Sequence, residues 1–229
     1  PEASYLANVA GEVPREVVDV FLKFEASTNS WVRRTLFSIG AQVPATEAAR
    51  LRPVIDSWAE SGFGWRTDPR DLVSFTVNLL EGGGTKSFGI AFANKLFRPT
   101  EDKGQTGDPV AELKSHWYSM ELPRVVRALG QDALKTIVPW LVLQKRQSGS
   151  VGDNFDHSGF GRSLIAERRD SYREIEDALI DAVRDAAIAH LQSDPAEAWE
   201  HLNRTPILII RRISLYAVVD VLARRVEAG

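Results

Sequence analysis

The chain has 229 residues, enough for one large domain or an array of small repeats, and it is 44% hydrophobic and 26% charged, a globular composition. It has no cysteine, which excludes disulfides, thiol nucleophiles and zinc–thiolate sites, and no apolar run near the roughly 20 residues needed to cross a bilayer. A net charge of −3 and a pI of about 5.9 argue against nonspecific nucleic-acid binding, which needs a dense basic face.

The N-terminal Pro1-Glu2-Ala3 lacks the basic region and apolar core of a signal peptide. The chain starts without an initiator Met and is helix-like within a few residues, so we expect a fragment of a longer, cytoplasmic protein. Val17, Val18, Phe21, Leu22 and Phe24 recur at three- and four-residue spacing, which predicts a buried helix stripe. Asn29-Ser30 can cap a second helix carrying Trp31, Thr35, Leu36 and Ile39. Pro44 with Thr46-Glu47 opens the next, followed by Leu51, Val54, Ile55 and Trp58. Trp65 lies in the turn-like SGFGWRTDP and is the expected exposed aromatic; the other five Trp residues fall mainly on helix patterns and are expected in the core.

Asp68-Pro69 pairs a cap with a proline at the first helical position, ahead of Leu72, Phe75, Val77 and Leu79. The run Gly82-Gly83-Gly84-Thr85 ends that helix and starts another. Residues 97–109 are polar and rich in turn formers, so they read as a long loop. Helices resume over Val110–Leu129 and Gln131–Gln147, and residues 148–163 form a second long loop. Arg169 to Leu191 is the most regular helix, with Ile175, Leu179, Ile180, Val183, Ala187 and Leu191 on one face. Its other face, with Arg173, Glu176, Asp177, Asp181, Arg184 and Asp185, reads as solvated. Asp194-Pro195 starts another helix. The last, from about Pro206, is apolar on several sides, as expected of a helix covered by a continuation of an array or by a partner.

A short internal repeat fixes the expected architecture. LANVAGEVP, Leu6 to Pro14, aligns without gaps on LFSIGAQVP, Leu36 to Pro44, and VRRTLFSIG from Val32 is echoed by IRRISLYAV from Ile210. We expect one all-α domain over residues 1–229, an α-solenoid of stacked antiparallel helix pairs of HEAT or armadillo type. At roughly 40 residues per pair it would hold about three to five pairs.

The loop GSVGDNFDHSGFGRS, Gly149 to Ser163, is the best catalytic candidate, and it fails the usual tests. It lacks the lysine and glycine spacing of a phosphate loop, and Phe155 and His157 break the ligand alternation of a calcium loop. Asp153, Asp156 and His157 keep a metal-dependent enzyme open as an alternative. The favoured reading is a connector or docking element whose aspartates and histidine face water. Phe155, His157, Phe160 and Arg162 are its candidate partner-binding residues, with Trp65, Arg211 and Arg212 elsewhere.

The pairs Arg33-Arg34, Arg211-Arg212 and Arg224-Arg225 read first as salt-bridge formers. A phosphate-contacting stripe is the second reading, and with it a nucleic-acid-binding HEAT-like domain similar to DNA glycosylases. His116, His190 and His201 stand singly without metalloprotease spacing. The acids of the 169–191 helix lack the cleft that glycosidase chemistry requires. No catalytic residue, metal ligand or cofactor is assigned.

The segments from Tyr5 to Trp58, LGQDALKTIVPWLV from Leu129, DHSGFGRSLIAERRDSYREIEDALIDAVRDAA from Asp156 and TPILIIRRISLYAVVDVL from Thr205 resemble, in order, the helical-repeat arm of large bacterial STAND-like or antiphage-defence NTPase proteins. The resemblance implies a domain that senses or scaffolds and binds protein, with the chemistry elsewhere in the parent protein. It carries over no functional residue.

Overall fold

A computed structural model describes residues 2–60, 68–99, 115–160, 162, 164–167, 175–205 and 207–228. Trp65, most of the 97–109 loop and the predicted helix starts at Val110 and Arg169 lie outside these residues. The described chain is all-α, and its only β feature among these residues is an isolated bridge between Val151 and Asp156. Where one domain is expected from the sequence, the structure has two compact units. The first comprises residues 1–97 with 102–117, the second 98–101 with 118–229.

The first unit holds α1 (Glu2–Val9), α2 (Pro14–Leu22), α3 (Ser30–Gly40), α4 (Ala45–Ala49), α5 (Arg52–Glu60), α6 (Pro69–Glu81) and α7 (Lys86–Phe97). Local chemistry places the starts. Asn29 accepts a hydrogen bond from the Trp31 N–H at 2.9 Å, Asp68 accepts one from Arg70, and Pro14 and Pro69 occupy first-turn positions. The sequence repeat is a repeat of backbone geometry. The Glu12 and Val13 N–H groups donate to Val9, and thirty residues on the Gln42 and Val43 N–H groups donate to Ile39. Each copy ends one helix, turns, and starts the next at a proline.

The core of this unit is aromatic. Phe37, Phe75, Phe88 and Phe92 meet at centroid distances of 5.2 to 6.4 Å, mostly edge to face, between α3, α6 and α7. Asn78 Nδ2 donates to the Gly40 and Val43 carbonyls at 2.8 Å, tying α6 to the turn after α3. Gly89 lets α7 close on α6: a Cβ there would lie 2.8 Å from the Leu80 backbone nitrogen. Two tryptophans expected in the core are not in it. Trp58 and Trp140 are buried, but Trp31 is 65% exposed under the Arg34 guanidinium and Trp199 is 50% exposed. Both exposed rings sit on helices at positions that face away from the packed side, which a count of aromatic residues does not reveal.

The second unit holds most of α8 (Ser115–Leu129), a 3-10 turn (Gly130–Asp132), α9 (Ala133–Gln147), α10 (Ile175–Ser193), α11 (Pro195–Asn203) and α12 (Leu208–Ala228). α10 is its centre and packs against α9, α11 and α12. Leu179, Ile180, Val183, Ala187 and Leu191 are buried, as its periodicity predicts. The charged face is not the solvated surface expected, because Asp181 and Arg184 are buried too. Arg184 Nη1 donates to Asp181 at 2.8 Å and to the Ile165 carbonyl at 2.8 Å. Lys145 of α9, also buried, pairs with Glu176 at 2.6 Å.

The close approach of α7 to α6 is testable. Gly89→Ala is expected to cost about 2 kcal/mol by overpacking against backbone that cannot move aside. Gly83→Ala, with open space around the new methyl, should be neutral. Urea denaturation followed by circular dichroism reads both; equal midpoints would contradict the packing described.

Candidate interaction surface

The loop after α9 is built to hold a fixed shape. Gly149 takes φ +72°, the left-handed residue that ends a helix. Its N–H donates to Arg146, and the Ser150 N–H donates to Lys145 at 2.9 Å, closing a Schellman motif. The chain then reverses tightly. Gly152 N–H donates to the Phe155 carbonyl at 3.0 Å, and His157 N–H donates to the Ser150 carbonyl at 2.7 Å. The Phe155 ring lies over Gly152, where a Cβ would meet it at 2.4 Å and the exposed ring would have to shift.

Asp156 leaves this turn pointing inward, toward the start of α12. One carboxylate oxygen accepts from the Ser158 N–H at 2.9 Å and the Ser158 hydroxyl at 2.6 Å, and the other accepts from the Leu208 N–H. The buried Ser158 hydroxyl oxygen accepts from the Ile209 N–H at 3.0 Å. Two of the N–H groups that a helix start leaves without an intrahelical acceptor are thus satisfied by the loop, so Asp156 and Ser158 cap α12 from outside it. The expectation that the loop's acids face water is corrected here for Asp156. Burial raises its pKa, but the Ser158 and Leu208 hydrogen bonds and the Arg211 charge outweigh that and hold it below the ordinary carboxylate value.

Arg162 is also corrected. It was expected to offer hydrogen bonds to a partner, but it is 1% exposed. Nη2 donates to Asp181 of α10 at 2.6 Å, and Nε donates to the Leu164 carbonyl at 3.2 Å. Arg212 of α12 likewise turns inward, donating to the Gly159 carbonyl and, at 2.7 Å, to the Arg162 carbonyl. Gly159 sits so close to α12 that a Cβ would lie 2.7 Å from Leu208. Arg162 holds the loop through a buried carboxylate, where removing one partner costs heavily, and Arg212 holds it through loop carbonyls.

The rings point the other way. Phe155 is 47% exposed and Phe160 79%, with an exposed His157 between them. Ring centroids are 5.2 Å apart from Phe155 to His157 and 5.7 Å from His157 to Phe160. Beyond Phe160's neighbour Gly159, Leu208 begins an outward stripe on α12 that continues through Leu215, Val219, Leu222 and Val226, all substantially exposed. Arg211 is exposed on the same helix. Of the sequence candidates, the structure brings Phe155, His157, Phe160 and Arg211 to one region, draws Arg162 and Arg212 beneath it, and leaves Trp65 outside the described residues. α12, expected from its apolar pattern to be covered by an array or a partner, has one of its two apolar faces buried in the unit and the stripe exposed.

Two of the three arginine pairs are split between inside and outside, while Arg224 and Arg225 are both exposed. Arg33 is buried, donating to the Ser27 carbonyl and lying 4.7 Å from the Trp58 ring centroid, and Arg212 is turned inward. Both oxygens of Asp156, one of the three residues of the metal-dependent alternative, accept hydrogen bonds from Ser158 and Leu208. Among the described residues no group of three His, Asp or Glu side chains converges to hold a metal.

Elsewhere in this unit, a cavity of about 560 Å³ lies between α8 and α10, lined by residues that include Pro123, Val126, Ala182, Ala186 and His190. At its end Glu197 of α11 lies 3.3 Å from His190 and 3.5 Å from His201, a contact for which the only sequence signal is the four-residue spacing of Glu197 and His201.

Removal of the Asp156 cap, as Asp156→Ala, is expected to cost about 1 kcal/mol. The pH dependence has a definite sign. The folded pKa lies below the unfolded one, so the contribution is complete above about pH 4 and is lost as pH falls through the folded value. Thermal melts from pH 7 to pH 3 should show a smaller acid loss for Asp156→Asn than for wild type; parallel curves would refute the cap. Compared with known proteins, the chain matches no family model, no curated protein and no solved structure.

Proposed function

We propose that the chain is a non-catalytic helical-repeat scaffold or sensor that binds a protein partner, or another domain of its parent protein. The observation that carries this reading is an exposed apolar surface on backbone that is held rigidly. Phe155 and Phe160 project from a loop anchored at Asp156, Arg162 and Arg212, and the α12 stripe continues from it. Soluble proteins rarely expose contiguous apolar area on ordered elements except where something docks. The helix-turn-helix echo of Leu6–Pro14 and Leu36–Pro44 supports a HEAT-like repeat origin, and with the resemblance to bacterial defence NTPase arms the proposal extends to a cytoplasmic assembly.

A nucleic-acid role draws on Arg211, Arg224 and Arg225, which are exposed on α12. The exposed leucines and valines between them weigh against it, because a phosphate-tracking face is polar and basic.

A photo-crosslinking phenylalanine placed at Phe160 or at Leu222 in the parent protein, expressed in its own cells, is expected to give a discrete protein adduct. The same probe at exposed Lys23 of the first unit should not. Absence of adducts at Phe160 and Leu222, together with full parental activity after combined Phe155→Ser, Phe160→Ser and Leu222→Ser, would overturn the reading.

A further inference from the structure

The geometry of α12 points to its occupant: an amphipathic helix of a partner, with acidic residues flanking its apolar stripe. This rests on the reading of the surface as a protein-binding one and names what it takes. α12 is 21 residues long and has two apolar faces. Ile209, Ile210, Ile213 and Ala217 are fully buried in the unit. The opposite face carries Leu208, Leu215, Val219, Leu222 and Val226, exposed by 38%, 66%, 64%, 55% and 81%. Their spacing is seven, four, three and four residues, so Leu215, Val219, Leu222 and Val226 fill successive d and a positions of a heptad and Leu208 the d before them, while the intervening a position is Arg212, which turns toward the loop. Leucine stands at d (208, 215 and 222) and valine at a (219 and 226). That is the seam of a two-stranded coiled coil, with β-branched residues at a and leucine at d.

The residues beside the seam decide the occupant. In this register Arg211 and Arg225 stand at g, with Val218 between them, and the e positions are Ile209, Tyr216 and Ala223. A second copy of the chain is disfavoured in either orientation. An antiparallel pair sets the g arginines of both copies along one edge, and a parallel pair sets them against e residues that carry no negative charge. A helix with Glu or Asp at the facing positions meets the exposed Arg211 and Arg225 with opposite charge. Phe160, beside the N-terminal end of the seam, supplies an aromatic anchor of the kind that dominates binding energy.

The test uses the full chain and labelled peptides of α12's length, read by fluorescence anisotropy. One peptide has leucine and valine at a and d with glutamate at e and g; a second has lysine at e and g; a third keeps the glutamates but has serine at a and d. The first peptide is expected to bind, with an affinity that weakens as salt rises, and the other two are not. Val219→Glu with Leu222→Glu should reduce binding by about tenfold or more with the helical signal unchanged. Arg211→Glu with Arg225→Glu should shift preference toward the lysine peptide. Equal binding of the lysine or serine peptide overturns the inference. So does a concentration-dependent dimer in sedimentation that Val219→Glu abolishes, which would make a second copy the occupant. If none of the peptides binds while the crosslinker at Leu222 still captures a partner, the acidic helix is refuted and the protein-binding reading stands. If neither occurs, both fall.

Discussion

Asp156 lies 52 residues before the amide it accepts a hydrogen bond from, and the second unit is arranged around that contact. The loop after α9 supplies the carboxylate, and Ser158 supplies the second acceptor. Once the start of α12 is fixed, its inner residues pack on α10 and its outer stripe faces away. Arg162 and Arg212 secure the same junction from beneath, one reaching Asp181 of α10 and the other the loop carbonyls. Removing either would leave buried polar groups without partners, which is costlier than the hydrogen bonds themselves.

That division of labour explains why the loop resisted interpretation as a catalytic element. Its charged and glycine residues serve geometry: Gly149 ends a helix, Gly152 clears a ring, Asp156 caps, Arg162 clamps. Its apolar residues, normally the structural ones, are the exposed ones. The usual assignment of polar residues to function and apolar residues to core is reversed over a dozen positions.

Much of the fold was legible because it rests on local rules. Asn29, Asp68 and Asp194 cap the helices they were expected to cap, and the thirty-residue echo corresponds to matching turns. Phe155, His157 and Phe160 were identified as surface residues of the loop, and they are exposed. The misreadings share one cause, which is contact at long range. A carboxylate in a loop gives no sign of a helix amide 52 positions on. The charged face of α10 reads as solvated only if nothing covers it, and the loop lies across Asp181 and Arg184. α12 shows the converse. Apolar residues on two faces give nearly no helical asymmetry, so the pattern suggests full burial when one face is covered and the other open.

The remote cap also orders events as the chain folds. A conventional N-cap forms with the first turn of its helix, because cap and amide are neighbours. Here the acceptor and the amide meet only after the intervening chain has closed on itself, and that closure carries an entropic cost that rises with the logarithm of its length. α10 and α11 lie within the closed segment. The cap on the last helix therefore depends on closure of that whole segment, where an ordinary N-cap depends only on its own first turn.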